Sequence, residues 1–181
     1  MGSSVATLQV CVGDSVVCIK IAGRATFHVS FDFKTLVLRL RQKGYTRFIL
    51  DLTDCQLMDS TFLGVMAGLG ATFHAGRNGD PPATLELLNP NQRILDMLEN
   101  LGIGHFFRLI DKNAPTPTTP AAETELERAP SESVAAADKR VLSRTCLEAH
   151  KFLMEINPAN VPKFKDVTRF LEEDLKKLGE P

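Results

Sequence analysis

No two of the four cysteines, Cys11, Cys18, Cys55 and Cys146, form the close pairs that a zinc site or a redox motif requires. All four stand in apolar surroundings and read as buried thiols. A two-residue turn at Asp14-Ser15 would set Cys11 opposite Cys18 on adjacent strands, where a reducing compartment would leave them unbridged. Charge of one sign is also missing. The formal net charge is -1 and the lysines and arginines are spread along all 181 residues, so there is no basic stripe to hold nucleic acid or an anionic membrane surface. No apolar run approaches membrane-spanning length. Residues Met1 to Ala6 form neither a charged-then-apolar leader nor a myristoylation signal, because Ala6 stands where Ser or Thr is needed. These absences predict a cytoplasmic protein with no nucleic-acid partner and no membrane insertion. The length suits one ordinary domain with an appendage.

Signatures of catalysis are scarce as well. The stretch Met58-Asp59-Ser60-Thr61-Phe62 lacks both glycines of a nucleophile elbow. None of His28, His74, His105 and His150 has a sequence-local carboxylate arrangement, although a triad assembled in space stays open. Gly68-Leu69-Gly70 lies within an apolar helical pattern with no Gly-Lys-Ser or Gly-Lys-Thr after it, so close helix packing explains it better than phosphate binding. The expectation is a protein without catalytic residues, metal or cofactor.

What is present is an alternation of short apolar segments. Thr7 to Val12 and Val16 to Ile21 read as a hairpin around Gly13-Asp14-Ser15. Ser30 is placed to cap a helix with Phe33, Leu36, Val37 and Leu40 on one face and Gly44 as its stop. Arg47 to Leu52 is a uniformly apolar strand, as expected of a central strand buried on both faces. In the next helix Phe62, Val65, Met66, Leu69 and Phe73 share an apolar face, and Thr61, Gly64, Gly68 and Ala75 a small-residue face, with Asn78 to Pro82 as the stop. Ala83 to Leu88 is a strand. Asn89-Pro90 reads as cap and first position of a helix carrying Ile94, Leu95, Leu98 and Leu101, ended by Gly102, and His105 to Ile110 as a last strand. The pattern predicts an α/β domain over residues 1–112, with an antiparallel opening hairpin and otherwise mostly parallel strands. Residues 113–137, rich in Pro, Thr, Ala and Glu, read as a flexible linker. Residues 138–181 read as a helical pair, with Leu142, Cys146, Ala149, Phe152 and Ile156 in one stripe and Phe164, Val167, Leu171 and Leu178 in the other.

The polar stretch between strand and helix, LTDCQLMDST, draws the most attention. A serine before an amphipathic run is the usual N-cap, which gives Ser60 a structural role, and Asp59 complements the helix dipole. The same junction is where open α/β sheets collect functional groups. The strand FILDLTDC, the loop DST and the apolar helix after it, with Ile21-Ala22-Gly23 and the Asn89-Pro90 helix, resemble the STAS domain over roughly Thr7 to Lys112. That is the fold of anti-sigma-factor antagonists, also found in sulfate transporters and lipid-transport complexes. The resemblance implies that Asp59-Ser60 is the acidic residue and phosphoacceptor, with Thr61 as second choice. It also implies a partner surface formed by Asp54, Asp59, Ser60, Thr61, Gly23 and Arg24. The implied partner is a serine-kinase anti-sigma factor or analogous switch kinase, with a serine phosphatase as a further one. A fixed subunit of a larger assembly, never phosphorylated, is the alternative. The chain departs from the family pattern in three places. Phe62 precedes Leu63-Gly64 where a glycine often follows the acceptor, and Arg24 and Thr26 replace acidic residues. The tail from Asp138 lies outside the pattern.

The tail's stripes hold more apolar surface than two short helices can cover by themselves, so they must pack on something. The linker is long enough to reach the same domain or a second copy. Docking on a neighbouring α/β domain in a homodimer is favoured slightly over docking within the chain.

Overall fold

A computed structural model describes residues 6–76, 81–110, 113, 115–117 and 135–178. The strands are β1 (Thr7–Val12), β2 (Val16–Ala25), β3 (Arg47–Asp51), β4 (Cys55–Met58), β5 (Thr84–Leu88) and β6 (Arg108–Ile110). The helices are α1 (Phe27–Gln42), α2 (Ser60–Ala75), α3 (Gln92–Leu101), α4 (Ala135–Ile156) and α5 (Val161–Lys177). The sheet order is β1-β2-β3-β5-β6, antiparallel only between β1 and β2, which is the mixed arrangement the alternation predicts. Cys11 and Cys18 are partners in the hairpin register and both are free thiols.

β2 is longer than its apolar run suggests, and this extension builds the site. Val16 to Lys20 pair with β3, and then the strand shifts register between Gly23 and Arg24 and continues beside β4. β4 itself, Cys-Gln-Leu-Met, has no counterpart in the residue pattern, because four residues carry too little periodicity to separate a strand from a loop. Gly23 has a φ of 93°, which a side chain would resist, and donates its N–H to the Asp54 carbonyl at 2.9 Å.

One apolar core lies between the sheet and the helices. Val17, Ile19, Ile21, Phe48, Leu50, Leu85 and Leu87 meet Phe33, Val37 and Leu40 of α1 and Phe62, Leu63 and Met66 of α2. The second sheet face carries a small cluster of Cys18, Ile49 and Leu88 beside a salt bridge from Arg47 to buried Glu86. β3 is thus buried on both sides as expected, although among the described residues the helical core covers one side only.

Several boundaries differ from the sequence pattern, each for a local reason. α1 starts at Phe27, and Ser30, expected as its cap, is fully buried inside it with its hydroxyl donating to the Phe27 carbonyl. Asn91, not Asn89, caps α3 by accepting from the Ile94 N–H, while Asn89 takes a left-handed turn at φ 52°. A 3-10 turn, Gly104–Phe106, replaces the start of the last strand. Most of the expected linker, and Asn78 to Asp80 of the expected stop after α2, lie outside the described residues.

The tail is helical and packs on the α/β unit of its own chain, through α4 against α2 and α1. Ala149 and Leu153 enter the main core, with Phe152, Ile156 and Phe164 against its margin. On α5 the covered face is Phe164, Thr168, Leu171, Leu175 and Leu178, while Val167, expected on that stripe, is exposed and its neighbour Thr168 takes the buried place.

Candidate functional site

The N-termini of α1 and α2 meet at one carboxylate. Asp59 follows β4, and its N–H donates to the carbonyl of Ala25 at the end of β2, which fixes the backbone entering α2. Its Oδ1 accepts from the Phe62 N–H and its Oδ2 from the Phe27 N–H, both at 2.8 Å. One negative side chain therefore satisfies orphan donors of two helices and faces both positive dipole ends. This corrects the reading of Ser60 as the cap: Asp59 is the cap and Ser60 is the first helical residue.

Freed from capping, the Ser60 hydroxyl points toward the tail. Its Oγ lies 2.8 Å from Nε2 of His150 on α4. The other ring nitrogen, Nδ1, lies 2.8 Å from the Cys146 carbonyl. A carbonyl only accepts, so Nδ1 carries the proton and Nε2 presents a lone pair to the Ser60 O–H; this tautomer is assigned from the network. Burial holds the His150 pKa below its ordinary value, while the Cys146 carbonyl and the Asp59 charge oppose that shift. The ring is neutral at pH 7 and packs against the Phe164 ring, with centroids 4.8 Å apart. Beside it the Thr61 hydroxyl donates to the Cys146 sulfur at 3.5 Å. Burial also raises the Cys146 pKa. One turn on, Gly64 meets the backbone of α4. A Cβ there would lie 2.8 Å from the Ala149 carbonyl oxygen and 2.9 Å from its Cβ.

Asp59, Ser60 and Thr61 thus come together under α4. Asp54, expected near them, precedes β4, at the end of that strand opposite to Asp59. Its carboxylate pairs with Lys20 at 2.7 Å. Gly23 and Arg24 lie on the extension of β2 that carries β4. His150 and Cys146 were missed as site residues. The available signal was a histidine four positions after Cys146, within the tail's apolar stripe.

Serine beside imidazole invites comparison with a nucleophile and its base. The orienting group here is a backbone carbonyl, not a carboxylate, and the carboxylate of Asp59 occupies the helix N-terminus where an oxyanion would need donors. His150 is 5% exposed. The nearby cleft of about 580 Å³ between α1, α2 and α4, lined among others by Lys34, Leu38, Gly68, Thr72 and Phe152, includes neither Ser60 nor His150. The pair is a closed hydrogen bond. Among the described residues no group of three or more His, Cys, Asp or Glu is arranged to hold a metal ion, and no helix is long and apolar enough to cross a membrane.

The family model of the STAS domain matches residues 7–116, and the chain belongs to that family. No curated protein matches it. Several solved structures are similar to it, the first of those below with a TM-score above 0.5. A candidate anti-sigma factor antagonist from Thermotoga maritima is 21% identical, with 59% of this chain and 88% of that one covered and a TM-score of 0.51. The phosphorylated form of the Bacillus cell fate determinant SpoIIAA is 19% identical over 59% of this chain and 93% of that one, with a TM-score of 0.46. An anti-sigma factor antagonist from Mycobacterium paratuberculosis is 15% identical over 67% and 91%, with a TM-score of 0.47.

Proposed function

We propose that this STAS protein is a cytoplasmic, non-catalytic regulator of the anti-sigma-factor-antagonist type, which binds a serine-kinase anti-sigma factor or analogous switch kinase and is controlled by phosphorylation of Ser60. The observation that carries this reading is the division of labour at the start of α2. Asp59 does the capping, so the adjacent Ser60 hydroxyl can be modified without unmaking the helix terminus. A phosphate adds about -1.5 to -2 charge, and beside the Asp59 carboxylate it would oppose a partner that docks on a neutral patch. A serine phosphatase would reset the switch. Incubation with the switch kinase and ATP, followed by peptide mass spectrometry, is expected to place phosphate on Ser60. Phosphate confined to the threonines of residues 113–137 would overturn the reading.

The Ser60–His150 hydrogen bond favours a second reading, in which the hydroxyl is a fixed docking element of a larger assembly such as a lipid-transport complex and is never phosphorylated. Co-purification separates the two, through recovery of a kinase and phosphatase or of a transporter assembly.

A further inference from the structure

We propose that the α4–α5 hairpin is a removable cover over the start of α2, so that docked α4 and a charged group on Ser60 exclude each other. That the cover gates a kinase rests on Ser60 being the phosphoacceptor. The exclusion itself does not.

Three observations carry this. First, the Ser60 hydroxyl is engaged at 2.8 Å by a neutral imidazole whose other nitrogen is tied to the Cys146 carbonyl. A phosphate or carboxylate at Ser60 would bring acceptor oxygens against the Nε2 lone pair, next to Asp59, in a place already filled by α4. Lys34 and Lys151, cations near this interface, are engaged with Glu148 and Glu172.

Second, α4 reaches α2 by a backbone approach that only glycine permits. All three nearest neighbours of a Cβ at Gly64 belong to Ala149, so a side chain there would strike the cover and not the sheet.

Third, the tail is fastened at its far end by polar contacts that can be remade with water. Asn160 Nδ2 donates to the carbonyl of Leu101 at 2.9 Å and Asn157 Nδ2 to the same oxygen at 3.4 Å, and Lys163 Nζ donates to the carbonyl of Asn100. Among the described residues, Ala149 and Leu153 are the only buried members of the main core that come from the tail.

Cys146 reports on the cover because it belongs to α4 and its sulfur meets the Thr61 hydroxyl across the interface with α2, and Cys55, 3% exposed in the STAS core, reports on global opening. The full chain is treated with N-ethylmaleimide and each thiol's rate is read by peptide mass spectrometry. Gly64→Gln is expected to speed Cys146 alkylation roughly tenfold or more while Cys55 stays slow, since it lifts α4 alone. Ser60→Asp is expected to do the same, and Ser60→Ala to change the rate less than about threefold. If Ser60→Asp reacts no faster than Ser60→Ala, or more slowly because the charge recruits a proton to His150, the proposal is overturned. Equal acceleration at Cys55 and Cys146 also overturns it, since the tail would then open only with the whole domain. A separate arm adds the switch kinase and ATP. Faster labelling of Ser60 in Gly64→Gln than in the wild type supports gating, and equal labelling refutes it. No label on Ser60 even in Gly64→Gln sinks the phosphoacceptor reading and leaves the cover to be judged by alkylation.

Discussion

The Ser60 hydroxyl ends 2.8 Å from Nε2 of His150, a residue ninety positions later on a helix outside the matched STAS segment. The first residue of α2 is therefore coupled to a helix that lies outside the segment the family model matches. Each consequence of that coupling is open to measurement.

Because Asp59 carries both caps, its removal should cost more than removal of Ser60. Asp59→Ala leaves the Phe27 and Phe62 N–H groups without partners and is expected to lower unfolding free energy by about 3 kcal/mol. Ser60→Ala leaves only His150 Nε2 unsatisfied and should cost about 1 to 2 kcal/mol. Urea denaturation of the two variants gives the order; the reverse order would restore Ser60 as the cap.

Tail docking should weaken in mild acid. Burial depresses the His150 pKa in the docked state below the ordinary value of 6.5, so the docked form binds fewer protons than the released one. Its contribution is complete above about pH 6.5 and is lost as pH falls through the docked-state value. Asp59, the nearby charge, opposes the shift, while Ser60 and the Phe164 ring are neutral neighbours. Hydrogen exchange of α4 amides, corrected for intrinsic rates, should be faster at about pH 5.5 than at about pH 7.5, and His150→Gln should flatten that difference.

Three glycines of α2 should respond to alanine in different directions. A Cβ added at Gly68 would meet nothing within 4 Å, so Gly68→Ala should stabilise by up to about 1 kcal/mol through helix propensity. Gly64→Ala meets Ala149 at 2.8 to 2.9 Å and Gly70→Ala meets the Phe106 Cβ at 2.9 Å, so both should destabilise despite the same propensity gain. Thermal melts of the three variants, measured together, test the assignment.

Asn160 should be the most sensitive residue of the hairpin corner. It is fully buried and its amide bridges the ends of α3 and α4. Asn160→Leu removes the shorter of two hydrogen bonds to each carbonyl, since Asn157 also donates to Leu101 at 3.4 Å and to Leu153 at 3.3 Å, and is expected to cost about 1 to 3 kcal/mol, with hydrogen exchange rising in α4 and α5 before the sheet.

The helix faces were legible in the residue pattern: Phe33, Leu36, Val37 and Leu40 of α1, and Phe62, Val65, Met66, Leu69 and Phe73 of α2, are all buried as their spacing predicts. Burial of such a face follows from periodicity alone, and so does the alternation that implies a parallel sheet. Asp59-Ser60 was legible for the same local reason, as a polar break between two apolar segments. The roles within that pair were not. Both are good caps by type, and only the approach of the Phe27 N–H, set by the register of β2 on β4, makes the two-oxygen acceptor the cap and leaves the hydroxyl to α4. The meeting of Ser60 with His150, and of Gly64 with Ala149, also lay beyond local reading. A stripe says that a helix must be covered and leaves open by what, because the choice of partner depends on where the chain returns in space.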